Sequence, residues 1–300
     1  MKLVDYCWRY ADELQSGERC RYRRAVTVAE GTLKSFKTLA SAVKRFETET
    51  GSSYELEDVG MEFQRRFVEW CRFRRKLSGG TVHRYMTLTR TIMNVAVREK
   101  LCSNLEFRRA EFVPLAEMND VLVLNKEKME RLMSYKFKDK QLREARDIFV
   151  VGYLTGQRFS DYSRLCKEMY VEFDGQKFIR ITQRKTGVIV YVPLDVRVEK
   201  ILKRYGGRLP ALKLSDFNMR LVKVAETMGW GGGLKLTSHT ARRSFATNAY
   251  AAGIPMSSIM CITGHTREEH LRRYLRLSAG TLAVQAARDF EVLKYAQHAK

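Results

Sequence analysis

Four short segments carry side chains whose chemistry complements one another. "LTGQRFSDYSRL" sets Arg158 just after a Thr-Gly break, with Asp161 one turn further on. "RKTG" holds Lys185 in a glycine-ended turn. "HTARRSF" contains His239, Arg242 and Arg243 and runs on into the small, apolar "ATNAYAAGI". "GHTREEHLRRY" supplies His265 and Tyr274. His239 and Arg242, three apart, share one face of a helix, whereas Arg243 is rotated about 100° from Arg242 and is expected off that face. An arginine in an apolar helix needs an anion to meet it. Two arginines, a lysine and two histidines would surround a pentavalent phosphorus with donors and positive charge, and a tyrosine would supply the nucleophile. The guanidinium fork binds two nonbridging phosphate oxygens at once. Nearby cations stabilise the phenolate of a tyrosine and so make it a better nucleophile.

Other chemistries are poorly served. His265 and His270 are five apart and no cysteine stands near them at ligand spacing, so no metal site is expected. The G-x-S-x-G elbow of serine hydrolases, the Walker A loop and GxGxxG do not occur, so no nucleotide cofactor is expected either. Single residues of the set have ordinary uses: Asp161 either orients a neighbour or is a first-turn acid, and Arg184 is adjacent to Lys185 in a hairpin whose register could slip, with Lys177 at the strand entrance a poorer fit.

The elements that must position these groups are mostly helical. Leu33, Phe36, Leu39, Ala40, Val43 and Phe46 recur at three- and four-residue spacing, and Gly51 suits a helix end. "MEFQRRFVEWCRFRRKL" repeats the pattern, with Phe63, Phe67, Trp70 and Cys71 on one face and Arg65, Arg66, Arg72, Arg74, Arg75 and Lys76 largely off it. "SGGTVHRYMTLTRTIMNVAVREKL" opens with a Gly-Gly turn and continues as a third amphipathic helix. The periodicity breaks over 108–125, around Pro114. Asn125 then caps "KEKMERLMSY", and "LREARDIFVVGYLTG" stops at Gly156. "KFIRITQ" and "VIVYVPL", joined by "RKTG", form the one clear β signal, a hairpin with Lys185 at or beside its tip. Thr237 or Ser238 caps the His239 helix, whose first N–H groups favour an anion. Thr266 with Glu269 forms a capping box that starts the Tyr274 helix.

Three hundred residues suffice for two cored domains, and 45% hydrophobic residues describe a folded chain. The net charge of +21 favours a polyanion, and both halves of the chain carry the excess. Without an apolar run of about 18 residues no membrane span is expected. The first residues do not read as a signal peptide, and six scattered cysteines suit a reducing cytoplasm. The domains expected are an N-terminal extension (1–30) with the basic "RCRYRR", a helical domain (31–113), a linker (114–124), and a second domain (125–290) with a tail to 300. The fold class expected is mainly α with a small antiparallel β-sheet.

In order and spacing, Arg158, Lys185, the "HTAR" His239 and Arg242, the "GH" His265 and Tyr274 resemble the signature of the tyrosine recombinase (phage integrase) family, and the likeness spans about residues 30–290. "TGQRFSD" is similar to its first-arginine box, and "QRKTG" to its lysine hairpin, most of all in integrases of Bacteroidetes mobile elements. The resemblance implies a core-binding helical domain and a mixed α/β catalytic domain forming a clamp around DNA. Tyr274 would attack the scissile phosphodiester to give a 3′-phosphotyrosine, and Lys185 would protonate the departing 5′-oxygen to leave a free 5′-hydroxyl. Arg158 and Arg242 would hold the nonbridging oxygens, His239 would handle the tyrosine proton, and His265 would hydrogen-bond the phosphate. The chemistry needs neither metal nor ATP. It runs through a Holliday junction on a tetramer at a specific site in double-stranded DNA, with accessory DNA-bending or directionality factors, at the nucleoid of a bacterial cytoplasm. In the family, a tail like that after residue 276 docks on a neighbouring protomer. Arg65, Arg66, Arg72, Arg74, Arg75, Lys76 and Arg243 are candidate DNA contacts. Two rivals are a type IB topoisomerase, which shares the constellation, and a non-catalytic sequence-specific DNA-binding protein.

Overall fold

A computed structural model describes residues 1–19, 28–115, 122–230, 233, 235–272, 275 and 287. The chain divides into two compact units, Met1–Asn119 and Asp120–Lys300. The class expected is the one found: helices dominate both units, and the second holds one small sheet.

The first unit is built from helices α1 (Leu3–Ser16), α2 (Glu30–Thr50), α3 (Met61–Glu69) and α4 (Gly79–Arg98). The periodic positions of α2 are buried from Phe36 to Phe46, and Gly51 ends it in the left-handed conformation at φ 64°. Its Phe46 meets Tyr54, Phe63, Phe67 and Trp70 in an aromatic cluster with tilted, stacked and edge-on rings. The residues expected as an N-terminal extension instead contribute α1, whose Leu3, Tyr6, Cys7 and Ala11 are fully buried in this core. The Gly-Gly of the third helix lies inside its first turn rather than before it, because the Ser78 hydroxyl caps the helix by accepting from Thr81 N–H at 3.3 Å. After α3 the chain continues as a π-helical turn, Trp70–Arg74, closed by Arg75 N–H to Trp70 O at 3.0 Å. The wider turn keeps Trp70 and Cys71 buried and leaves Phe73 77% exposed.

The second unit is organised around α6 (Lys140–Thr155), which is buried on most sides and packs against α9 (Leu214–Thr227) and α10 (Ser238–Ala251). Before it come Asn125, whose side chain caps α5 (Lys126–Ser134), and Asp139, which caps α6 itself. The sheet has three antiparallel strands in the order β1 (Tyr170–Phe173), β2 (Gln176–Thr182), β3 (Ile189–Pro193). Ile179, Ile181, Val190 and Val192 face the core, while Arg180, Ile189 and Tyr191 face outward. Strand β1 was not expected. Its signal is "DG", since Asp174 and Gly175 both take positive φ in the two-residue turn to β2. The remaining helices are α7 (Phe159–Tyr162), α8 (Val196–Arg204), α11 (Met256–Thr263) and α12 (Glu268–Arg272). Helix α12 starts at Glu268, two residues after Thr266.

Candidate active site

Helix α6 ends at Gly156, which holds φ +65° and packs so tightly on Phe245 that a Cβ would fall 2.5 Å from the ring. This turn aims the Gly156 carbonyl at Arg242, whose Nη1 donates to it at 2.9 Å. It also delivers Arg158 to the N-cap of α7, half-buried.

Arg242 is fully buried. Of the two candidate caps for α10, Thr237 is the one used: its hydroxyl meets the Thr240 backbone and the Thr240 side chain returns to the Thr237 N–H. His239 therefore sits in the first turn, among backbone N–H groups that favour an anion. Arg242 Nη2 lies 3.1 Å from Nε2 and 3.4 Å from Nδ1 of His265, which follows the αL residue Gly264 at the end of α11. Since a guanidinium only donates, the ring nitrogen facing it is an acceptor. Thr263 Oγ1 lies 2.8 Å from His265 Nδ1 and donates its own proton to Ile259 O at 2.6 Å. The consistent state is a neutral ring protonated on Nδ1, with the Nε2 lone pair toward Arg242.

The electrostatics agree. Burial first, then Arg242, Arg158 and His270, push the His265 pKa down to about 3. His239, though its edge reaches solvent, is also lowered, first by partial desolvation and then by Arg243, Arg242, Arg158 and Lys185. The positive groups thus converge on two neutral imidazoles. Arg243 departs from its expected separation. It does not share the His265 contact, but it is four residues from His239, a helical neighbour as close as the i+3 position, and its charge acts on that ring ahead of Arg242.

Lys185 is exposed in the turn between β2 and β3. The strands leave Gln183 to Gly187 as the loop, pairing Gln183 N–H with Val188 O and Gly187 N–H with Gln183 O, both at 2.8 Å. Lys177 lies near the far end of β2, paired with Glu172, and its backbone carbonyl bonds Leu194. Asp161 is fully buried, and its Oδ1 accepts from the backbone N–H of Arg184, the residue before Lys185, at 2.9 Å. Arg164 adds a second tie, donating to Thr182 O. Tyr274, the expected nucleophile, lies outside the described residues, as does nearly all of the tail beyond it.

The candidate DNA contacts on the first unit differ among themselves. Arg65 is engaged by Glu62 and Glu69. Arg66 bonds Ser52 and lies over the Tyr54 ring, while Arg75 lies over Trp70. Arg72, Arg74 and Lys76 are exposed around the π turn, with Arg74 reaching back to Glu49 O at 3.3 Å. Two site residues escaped sequence reasoning. Gln157 and Gln183 are buried between the segments just described, and in the string each is an unremarkable amide beside a charged neighbour.

Among the described residues no three potential metal ligands cluster, and no helix is long and apolar enough to cross a membrane. The described cysteines Cys7, Cys71, Cys102, Cys166 and Cys261 are free thiols.

Comparison with known proteins adds the following. Residues 122–280 match the phage integrase family, and residues 2–112 match the phage integrase SAM-like domain. A search of curated proteins finds no match. Among solved structures, the Tn1549 transposon integrase in complex with circular intermediate DNA is similar with a TM-score of 0.69 at 15% identity, over 94% of this chain and 98% of that one. A lambda integrase dimer bound to a COC′ core site gives 0.71 at 15%, over 92% and 96%. The XerH site-specific recombinase bound to difH substrate gives 0.66 at 14%, over 95% and 94%. At such identities these likenesses establish the fold. The match over residues 122–280, more than half of the chain, establishes the rest: this protein belongs to the phage integrase family.

Proposed function

We infer that the chain is a site-specific DNA recombinase of the tyrosine type. The observation that carries this reading is the convergence of cations from separate segments: Arg242 and Arg158 both act on His239 and on His265, and Lys185 acts on His239. Donors and positive charge gathered in this way suit a phosphate. A scissile phosphate entering the site exchanges the His265 contact for its own oxygens. Arg158 and Arg242 hold the two nonbridging oxygens and stabilise the charge that grows on them. The Tyr274 oxygen attacks phosphorus, its proton passing to His239, whose depressed pKa keeps the ring free to accept it. The bond to the 5′-oxygen breaks as Lys185 protonates it, leaving a 3′-phosphotyrosine and a 5′-hydroxyl. Attack by the 5′-hydroxyl of a partner strand reverses these steps and rejoins DNA through a Holliday junction.

The first unit, from the Phe46 core to the Arg72–Lys76 turn, supplies DNA-backbone contacts, and the assembly that exchanges strands is a tetramer on paired sites, with directionality set by accessory factors. The basic chain resides with the nucleoid. The test is a nicked suicide substrate carrying the recombination site. Wild type traps a covalent adduct and Tyr274→Phe does not; no adduct from wild type overturns the enzyme reading, and an adduct from Tyr274→Phe overturns the choice of nucleophile. Supercoil relaxation without any recombinant product would mark a topoisomerase instead.

A further inference from the structure

Three segments of the site meet on one buried side chain that is not among the phosphate-binding groups. Gln183, the residue that opens the Lys185 loop, is 1% exposed. Its Oε1 accepts from Arg158 Nη1 at 2.9 Å and from Thr186 Oγ1 at 3.0 Å. Its Nε2 donates to Gln157 Oε1 and to Thr263 O, both at 2.8 Å. Gln157 in turn donates to Thr155 O at 3.1 Å and Ile262 O at 2.6 Å. The partners fix the direction of the amide. Arginine can only donate and a carbonyl can only accept, so turning the amide over would break both bonds. The packing is equally close, since a Cβ on Gly264 would fall 2.6 Å from both amide heteroatoms.

We propose that Gln183 is a positioning residue: its uncharged amide orients Arg158 and ties the Lys185 loop to the His265 turn while leaving the arginine's charge intact. A carboxylate in the same place would hold the guanidinium at least as firmly. It would also offset the positive charge that the phosphate needs at the moment negative charge builds on its oxygens. Arg242 likewise has a dipole among its partners, the Gly156 carbonyl. The proposal deepens the recombinase reading and rests on it.

The experiment uses the full chain with two variants of matched volume, Gln183→Met and Gln183→Glu, and two suicide substrates. One substrate carries the natural phosphodiester. The other carries a methylphosphonate at the scissile position, in which a methyl group replaces one nonbridging oxygen and removes the charge. On the phosphodiester, single-turnover adduct formation falls by about 10- to 100-fold in both variants, the usual scale for a misplaced catalytic group. DNA affinity stays within about threefold, because most of it comes from backbone contacts elsewhere. On the methylphosphonate, relative to wild type, the deficit shrinks about tenfold, since an uncharged centre draws less from the guanidinium.

Wild-type rates in Gln183→Met overturn the positioning role, and wild-type rates in Gln183→Glu overturn the charge argument. Equal deficits on the two substrates, or loss of cooperative melting in both variants, mark a merely structural residue and overturn the proposal. Absence of adduct from wild type on both substrates overturns the recombinase reading beneath it.

Discussion

Arg242 offers the sharpest test of the site. Replacing it with lysine keeps the charge but removes the fork, so one ammonium must choose between the Gly156 carbonyl and the phosphate. The tether itself is a charge-assisted bond, worth about 1.5–3 kcal/mol. Loss of one donor to a developing oxyanion costs about 2.7–4 kcal/mol, or 10²–10³ in rate. Arg242→Lys should therefore slow adduct formation by about 10²-fold, and Arg242→Ala, which loses both bonds and the charge, by about 10³-fold or more. Arg243→Ala should behave differently. It leaves the His265 contact in place and removes the charge that acts most on His239. The His239 pKa then rises, more of the ring is protonated at a given pH, and the acid limb of the rate profile moves to higher pH while the plateau stays within about tenfold. The assay is single-turnover adduct formation across pH on a suicide substrate, with DNA affinity measured in parallel. A folded Arg242→Lys within threefold of wild type, or an Arg243→Ala plateau as low as that of Arg242→Ala, would refute the division of labour between the two arginines.

Three further outcomes are expected. His265 titrates in the folded protein at about 3 against 6.5 when unperturbed, so its contribution is fully present above pH 6.5. That contribution is lost as pH falls toward 3; thermal melts should fall more steeply over that window in the wild type than in His265→Gln. Asp161→Ala frees the Arg184 N–H and loosens the Lys185 loop, slowing cleavage more than binding. A 5′-bridging phosphorothiolate, whose leaving group needs no proton, should restore most of that loss, and an unrestored rate would disconnect Asp161 from Lys185. Arg74→Ala and Lys76→Ala should each lower the slope of log affinity against log salt by about one, whereas Arg65→Ala, already engaged by Glu62 and Glu69, should change it less.

Much of this was legible in the string because it depends on local spacing. The α2 positions from Phe36 to Phe46, the stop at Gly156, the Asn125 cap and the pairing of β2 with β3 follow from periodicity and turn chemistry alone, and the structure reproduces each. What escaped depends on long-range packing or on competing local options. Helix α1 was missed because its apolar positions look mixed until α2 supplies the surface they cover. The π turn at Trp70 was missed because helical periodicity runs through it without a break in residue type. The partner of Asp161 is the Arg184 N–H, 23 residues away, which no local spacing marks. The two buried glutamines carried no signal at all, since their partners are main-chain carbonyls and an arginine 25 residues away. The influence of Arg243 on His239 follows from the four-residue step between them rather than from its separation from Arg242.

The glutamine relay also bears on when during synthesis the enzyme becomes able to cut. Gln157 reaches across 105 residues of chain to Ile262, and Gln183 across 80 to Thr263. Contacts of such separation close late, after local helices and the hairpin have formed. During synthesis, a chain that has already exposed its basic first unit can hold DNA while Gln183 still lacks its tie to Thr263 and Arg242 still lacks His265. Binding competence precedes cutting competence, and the interval between them ends only when the polypeptide past residue 265 has emerged and folded back.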